Sequence, residues 1–279
     1  MAYNVPPALN YLCPFESDLV RIGNAGDGGY LIPSGVLNEI RVIISIGISD
    51  DWTFEKRATE LNPQIRIFGW DRTSGFLVFS YYALRAISDK LLRVRSVSDF
   101  RKAVRLIVRW VGKAFSFARF WYPKHSFSRK WVVGELSGKD QAALSDCFSR
   151  VGNNEALLVK IDIEGNEYSL ASQLMQEIDA HGERIRCLVI EFHETDTRRD
   201  DFVRLSTHLC SLFRVAHFHE NNFGGFSEDG FPRVVEITFV SPALTYDSQH
   251  AKFPIKNLDA PCNPGAVDSE ILFAIDRKH

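Results

Sequence analysis

Leu157-Leu158-Val159-Lys160-Ile161-Asp162-Ile163-Glu164-Gly165-Asn166-Glu167 is the stretch around which this 279-residue chain is organised. An apolar run meets two acids one residue apart, and then a glycine. A strand period of two puts Lys160, Asp162 and Glu164 on one side, with Leu158, Ile161 and Ile163 burying the rest. Gly165 permits the sharp exit that a strand end needs. Carboxylates are costly to place in a core, so their presence wants a reason. In an open α/β sheet the carboxyl edge is where ligands sit. The strand end is therefore expected to form half of an active site.

Outward from this strand, the pattern alternates. Residues 42–47 read as a fully buried parallel strand. Ser49, Asp50 and Asp51 offer an N-cap, and a helix runs to about Leu61 before Asn62-Pro63 stops it. Ile65 to Trp70 is a second strand ending on Asp71, close to the ~20 residues past Gly47 at which nucleotide-binding units place a ribose-binding acid. Only Gly47 lies in the turn, so a ligand without a pyrophosphate fits better than NAD. Downstream, Trp131–Gly138 reads as a strand and 139–150 as a helix. The strand at 157–163 follows, then a helix over Ser169–Ala180. Arg186–Glu194 is a strand and 200–211 a helix; 213–222 and 233–240 are a last strand pair. Residues 1–20, with Pro6, Pro7 and Pro14, read as an irregular lead-in, and the chain past Pro242 as a Pro-rich tail. Arg21–Ile32 holds four glycines in seven residues. It reads as a turn between two short strands, or as backbone that approaches a ligand closely.

One segment interrupts the alternation. Residues 76–131 carry thirteen Lys or Arg against Asp89 and Asp99, a net +11, while the rest of the chain carries about −13. From Phe100 an apolar stripe runs through Ala103, Val104, Ile107, Val108, Val111, Ala114, Phe115 and Ala118, with Arg101, Lys102, Arg105, Arg109 and Lys113 mostly off it. This basic amphipathic helix suits an anionic membrane surface, met through 99–122, an anionic polymer, or a helix packed on the sheet with a solvated outer face. No nucleic-acid-binding motif accompanies it, and no nucleic-acid partner is expected. The chain is read as one domain over 1–279 with 76–131 as an insert.

Five scattered cysteines without a CxxC pair point to a reducing compartment. The first ten residues lack a basic and then apolar signal-peptide pattern, and no uncharged apolar run approaches the ~20 residues of a membrane span. A cytoplasmic protein, peripheral at the inner membrane face, is the expectation.

Three consecutive strand ends carry ligand-type side chains: Asp162 with Glu164, Glu191 with His193, and His217 with His219. Side by side, these ends would bring Asp162, Glu191, His193 and His219 onto one divalent ion, and mixed oxygen and nitrogen donors suit Mg²⁺ or Mn²⁺.

The run Val159–Glu167 resembles the KIDIEG(A/N)E signature of FkbM-type S-adenosylmethionine-dependent methyltransferases. Gly26-Asp27-Gly28-Gly29-Tyr30, Ser45-Ile46-Gly47, Phe68-Gly69-Trp70-Asp71 and His219-Glu220-Asn221-Asn222 are similar to the methyltransferase-like-24 branch. The likeness covers roughly 20–75 and 131–240 and leaves out the basic insert. The first motif departs from it: Ser-Ile-Gly-Ile-Ser-Asp-Asp replaces an Asp-x-Gly-Ala-x-x-Gly pattern with a second glycine. The resemblance implies an α/β, class I methyltransferase (Rossmann-like) fold, a seven-stranded sheet with an antiparallel last strand. It further implies S-adenosylmethionine held by Ser45, Gly47 and Asp71, with Asp27 and Tyr30 closing over it. The family's acceptors are hydroxyls of sugars and other small molecules. The expected activity is O-methyl transfer to a saccharide hydroxyl on an anionic or lipid-linked glycan, with Asp162, Glu164 and His193 as catalytic groups and a divalent metal. The rival expectation is a metal-dependent hydrolase, or a degenerate binding module for anionic glycan or membrane.

Overall fold

In the computed structural model, which describes residues 2–91, 94 and 96–274, seven strands form the central sheet. They are β1 (Val42–Ile46), β2 (Arg66–Trp70), β3 (Ser126–Ser128), β4 (Leu157–Ile161), β5 (Ile185–Phe192), β6 (Arg214–Glu220) and β7 (Val235–Val240). Their spatial order is β3-β2-β1-β4-β5-β7-β6. All contacts are parallel except those of β7, which runs against both β5 and β6. The antiparallel last strand expected from the resemblance is present.

Every residue of β1 and β4 is buried, because helices cover both faces. Ile44, Val159 and Ile190 pack on one side against α4 (Leu144–Phe148), α5 (Ala171–His181) and α6 (Arg199–Leu212). Ile43, Leu158 and Val189 pack on the other against α1 (Thr53–Leu61), α2 (Phe76–Ala86) and α3 (Val97–Lys124). Leu158 thus lies on the α1 side, away from the layer that takes Ile161 and, in part, Ile163. Glu164 is not on the strand at all: β4 ends at Ile161, and Glu164 turns out of it at φ 55°.

The basic insert is a helical hairpin. Ser96 caps α3 by accepting a hydrogen bond from the Asp99 amide at 3.1 Å, which satisfies one free N–H of the first turn. Trp121, near the far end of α3, is fully buried over β2. A Cβ on Gly69 would stand 2.5 Å from the Trp121 ring, so that glycine makes room for the indole. The insert's Arg93 and Arg95 lie outside the described residues.

Three expectations change. The third strand is Ser126–Ser128, entered directly from α3, whereas Trp131–Val132 pairs with Gln141–Ala142 in a separate small ladder. The helix expected over 139–150 shortens to α4. The termini are ordered against one another: Ala2–Asn4, Lys252–Phe253 and Glu270–Leu272 form a small sheet, and Phe253, Ile271 and Phe273 enter the core. The glycine-rich segment is the turn between the paired strands Leu19–Ile22 and Tyr30–Pro33. All five cysteines are free, and no described helix is long and apolar enough to cross a membrane.

Candidate active site

The carboxyl ends of β1, β4 and β5 open into two cavities. One, about 630 Å³, is bordered by Asp27, Asp50, Arg109, Lys113, Glu191 and His193. The other, about 500 Å³, is bordered by Gly47, Trp70, Asp71, Thr73, Val132 and Val133. Ser49, Asp162 and Glu164 line both. The end of β4 is the wall between them.

That wall depends on a close approach. A Cβ on Gly47 would fall 1.5 Å from the Asp162 carbonyl oxygen, and Gly47 has φ 80°. No other residue fits there without moving β4. Lys160, buried beneath the wall, donates to the Gly47 carbonyl at 3.0 Å and lies 3.9 Å from the Glu55 carboxylate. Burial disfavours its ammonium, but Glu55 and then Asp162 outweigh that and raise its pKa. Ser45 donates to Glu55 from within the same buried group and lines neither cavity. It had been expected to bind the cofactor; β1 turns its side chain into the interior instead.

Asp71 borders the smaller cavity with both oxygens engaged. One accepts from the Ile48 and Ser49 amides at 2.8 and 2.6 Å. The other accepts from the Thr73 amide and hydroxyl at 2.5 and 2.6 Å and from the Ser74 amide at 3.1 Å. It clamps the loops after β1 and β2 together.

In the larger cavity, ligand atoms of Asp162, Glu191 and His193 all lie within 4.8 Å of one another. His193 Nδ1 is 3.0 Å from Glu167 Oε1, and a carboxylate there requires the proton on Nδ1. Nε2 then faces Glu164 Oε2 at 3.5 Å and Glu191 Oε1 at 3.8 Å. Burial opposes protonation of this imidazole, but Glu167, Asp162 and Glu164 raise its pKa. Glu191, buried and facing Asp162 and Glu236, is pushed well above the usual carboxyl range, although Asn221 donates to it at 2.7 Å. Burial, then Asp162 and Glu236, lift the Asp27 carboxyl to about 6. Tyr30 donates to Asp162 Oδ2 at 3.1 Å; burial and then that carboxylate raise its phenol pKa. A cation would relieve this crowding of acids, and two carboxylates with an imidazole are donors that a hard or borderline divalent ion takes.

His219 does not join them. β7 inserts between β5 and β6, so Glu236 lies in register between Glu191 and His219. His219 instead bridges Glu236 and Asp268, each at 3.1 Å, with Cys262 beside Glu236. His217 pairs with Asp259 at 3.0 Å. Both histidines of β6 thus hold the C-terminal segment, and the expected set of ligands contracts to Asp162, Glu191 and His193.

Glu167 escaped the sequence reading although it closes the quoted motif. Its Oε1 accepts from the Ile163 and Gly165 amides at 3.3 and 3.2 Å as well as pairing with His193, so it fixes the turn after β4 and the imidazole together. Glu236 was also missed; an acid between Val235 and Ile237 in an apolar strand was its signal.

A sheet ordered β3-β2-β1-β4-β5-β7-β6 with only β7 reversed has one well-known owner. This is the class I methyltransferase fold. No protein-family model and no curated protein matches the chain. Solved structures similar to it include a fibrillarin pre-rRNA processing protein of Methanococcus jannaschii, at 7% identity and TM-score 0.34 over 74% of this chain and 68% of that one. Precorrin-6y C5,15-methyltransferase of Geobacter metallireducens shares 13% identity at TM-score 0.32, covering 74% of this chain and 86% of its own. A plantazolicin methyltransferase in complex with SAH shares 9% at TM-score 0.31, over 72% and 76%. The strand order, not these scores, establishes the methyltransferase fold.

Proposed function

We propose that this chain is a FkbM-type S-adenosylmethionine-dependent O-methyltransferase acting on a saccharide hydroxyl. The observation that carries the reading is the pair of cavities sharing Ser49, Asp162 and Glu164. A donor in one and an acceptor in the other meet at that wall. The smaller cavity, with Trp70, Val132 and Val133 for a flat ring, has the volume of a cofactor site. Bound there, S-adenosylmethionine supplies an electrophilic methyl group.

In-line displacement makes the new O–C bond as the C–S bond breaks, so alignment is most of what the protein contributes. Gly47 and Asp71 fix the loops on the donor side. Asn24, Asn221, Arg109 and Lys113 give the larger cavity the polar and cationic groups that a hydroxylated, anionic acceptor calls for. A sugar hydroxyl must lose its proton in the transfer. Glu164, whose side chain is 87% exposed on the shared wall, receives it, and His193 faces Glu164 at 3.5 Å, oriented by Glu167. A divalent ion held by Asp162, Glu191 and His193 would supply Lewis acidity to that hydroxyl.

Calorimetry with S-adenosylmethionine, followed by labelled methyl transfer onto neutral and acidic glycans with and without Mg²⁺ or Mn²⁺, tests the proposal. Absence of cofactor binding sinks it. The full set of donors on Asp71 favours a second reading, a hydrolase or binding module using the acidic cavity without methyl transfer. Cation binding without cofactor binding is its signature.

A further inference from the structure

Helix α3 has three faces rather than two. Ala114, Phe117 and Trp121 are buried against α2 and the sheet, and Ala103 is buried on the same side of the helix. At about 100° per residue, a second apolar stripe of Phe100, Val104, Val108, Val111 and Phe115 lies roughly a third of a turn away. That stripe is open to solvent, with Val108 64% and Phe115 66% exposed. On its far side Arg101, Arg105 and Arg119 form the third face, all exposed. Helix α2 adds Leu77, Tyr81 and Leu84 on its outer face, Leu77 72% and Leu84 65% exposed. The two helices meet there, where Phe115 packs edge-on to Phe76.

We propose that this hairpin docks the protein on an anionic lipid bilayer, with the aliphatic and aromatic stripe in the headgroup region and the arginines on lipid phosphates. Charge complementarity selects this occupant. The segment 76–131 is net +11 in a chain of net −2, so the positive charge lies in the same segment as the uncovered apolar surface. A second copy would set one strongly cationic hairpin against another. Nucleic acid answers the arginines but leaves Val104, Val108 and Leu84 in water. One consequence concerns the larger cavity: Arg109 and Lys113 of the same helix line it, and Arg109 pairs with Asp50 at 2.9 Å across its mouth. These two residues lie roughly 140–180° around α3 from the apolar stripe, so docking leaves that cavity open on the side of the helix away from the bilayer.

Co-sedimentation of the full chain with vesicles of phosphatidylcholine, alone or mixed with phosphatidylglycerol, tests the proposal. Binding to the anionic vesicles, weakening as salt rises, is expected. Val108→Asp with Phe115→Asp should lower it about tenfold or more, with an unchanged far-ultraviolet dichroism because both side chains are exposed. Arg101→Glu with Arg119→Glu should remove the preference for anionic lipid. The proposal is overturned by failure to bind anionic vesicles, or by equal binding of the Val108→Asp/Phe115→Asp variant. It is equally overturned if the apolar stripe serves only a concentration-dependent dimer, or if duplex nucleic acid binds and lipid does not.

Discussion

Removing the Lys160 ammonium should unfold much of what the β4 end supports. In Lys160→Met a side chain of similar length stays in place, but the Glu55 carboxylate loses the one cation paired with it among the described residues. Glu55 and Lys160 side chains are 0% and 4% exposed, and Glu55 Oε2 has no hydrogen-bond partner among the described residues, so water cannot compensate. Breaking such a buried pair from one side costs about 3–5 kcal/mol, against a total stability of roughly 5–15 kcal/mol for a domain. The Gly47 carbonyl also loses its donor, which loosens the wall between the cavities. Urea unfolding is the assay: at a slope of about 3 kcal/mol/M the midpoint should fall by roughly 1–1.7 M. The double variant Glu55→Gln/Lys160→Met removes both charges and should recover about half of the loss or more. A single-variant cost below about 1 kcal/mol, or strict additivity of the two changes, would refute the buried pair as the support of this site.

Gly47→Ala should destabilise by about 2–4 kcal/mol, since it combines a left-handed backbone with a Cβ on the Asp162 carbonyl; urea unfolding reads it, and a change under about 0.5 kcal/mol contradicts the close approach. Mn²⁺ binding, followed by calorimetry or electron paramagnetic resonance, should weaken about 10- to 100-fold in His193→Ala and Asp162→Asn but stay within about threefold in His219→Ala. Chelation should leave the fold intact. Burial, then Lys124, lowers the His125 pKa from 6.5 to about 4, and its Nδ1 accepts from the Ile67 amide at 3.4 Å. The unfolded chain then takes up the proton first, so this residue's contribution is whole above pH 6.5 and declines as pH falls toward 4. His125 is only half-buried, so about 1–2 kcal/mol is expected. Denaturation midpoints at pH 7 and pH 5 should differ less in His125→Gln than in the parent chain.

The alternation of strand and helix, the buried β1 and β4, the glycine turn after Ile22 and the acids at the end of β4 were all legible in the sequence. These are local properties: a strand covered on both faces must be apolar throughout, and a chain leaving a buried strand needs glycine or a cap. Asp162, Glu191 and His193 could be placed together because β4 and β5 are successive parallel strands. His219 could not be excluded in the same way, because the strand that separates it from them comes later in the chain. Insertion of β7 between β5 and β6 is a choice between sheet edges, made by long-range pairing that leaves no local mark. For the same reason Ser45 read as a cofactor contact until α1 brought Glu55 against it. In α3 the apolar positions were visible, but which of them meet the sheet was decided by Trp121 settling over Gly69. Sequence by itself determined what the strand at 157–167 contains, since period and turn chemistry act within a few residues. The tertiary structure decided what that strand end divides and what faces it, because those neighbours arrive from elements scores of residues away.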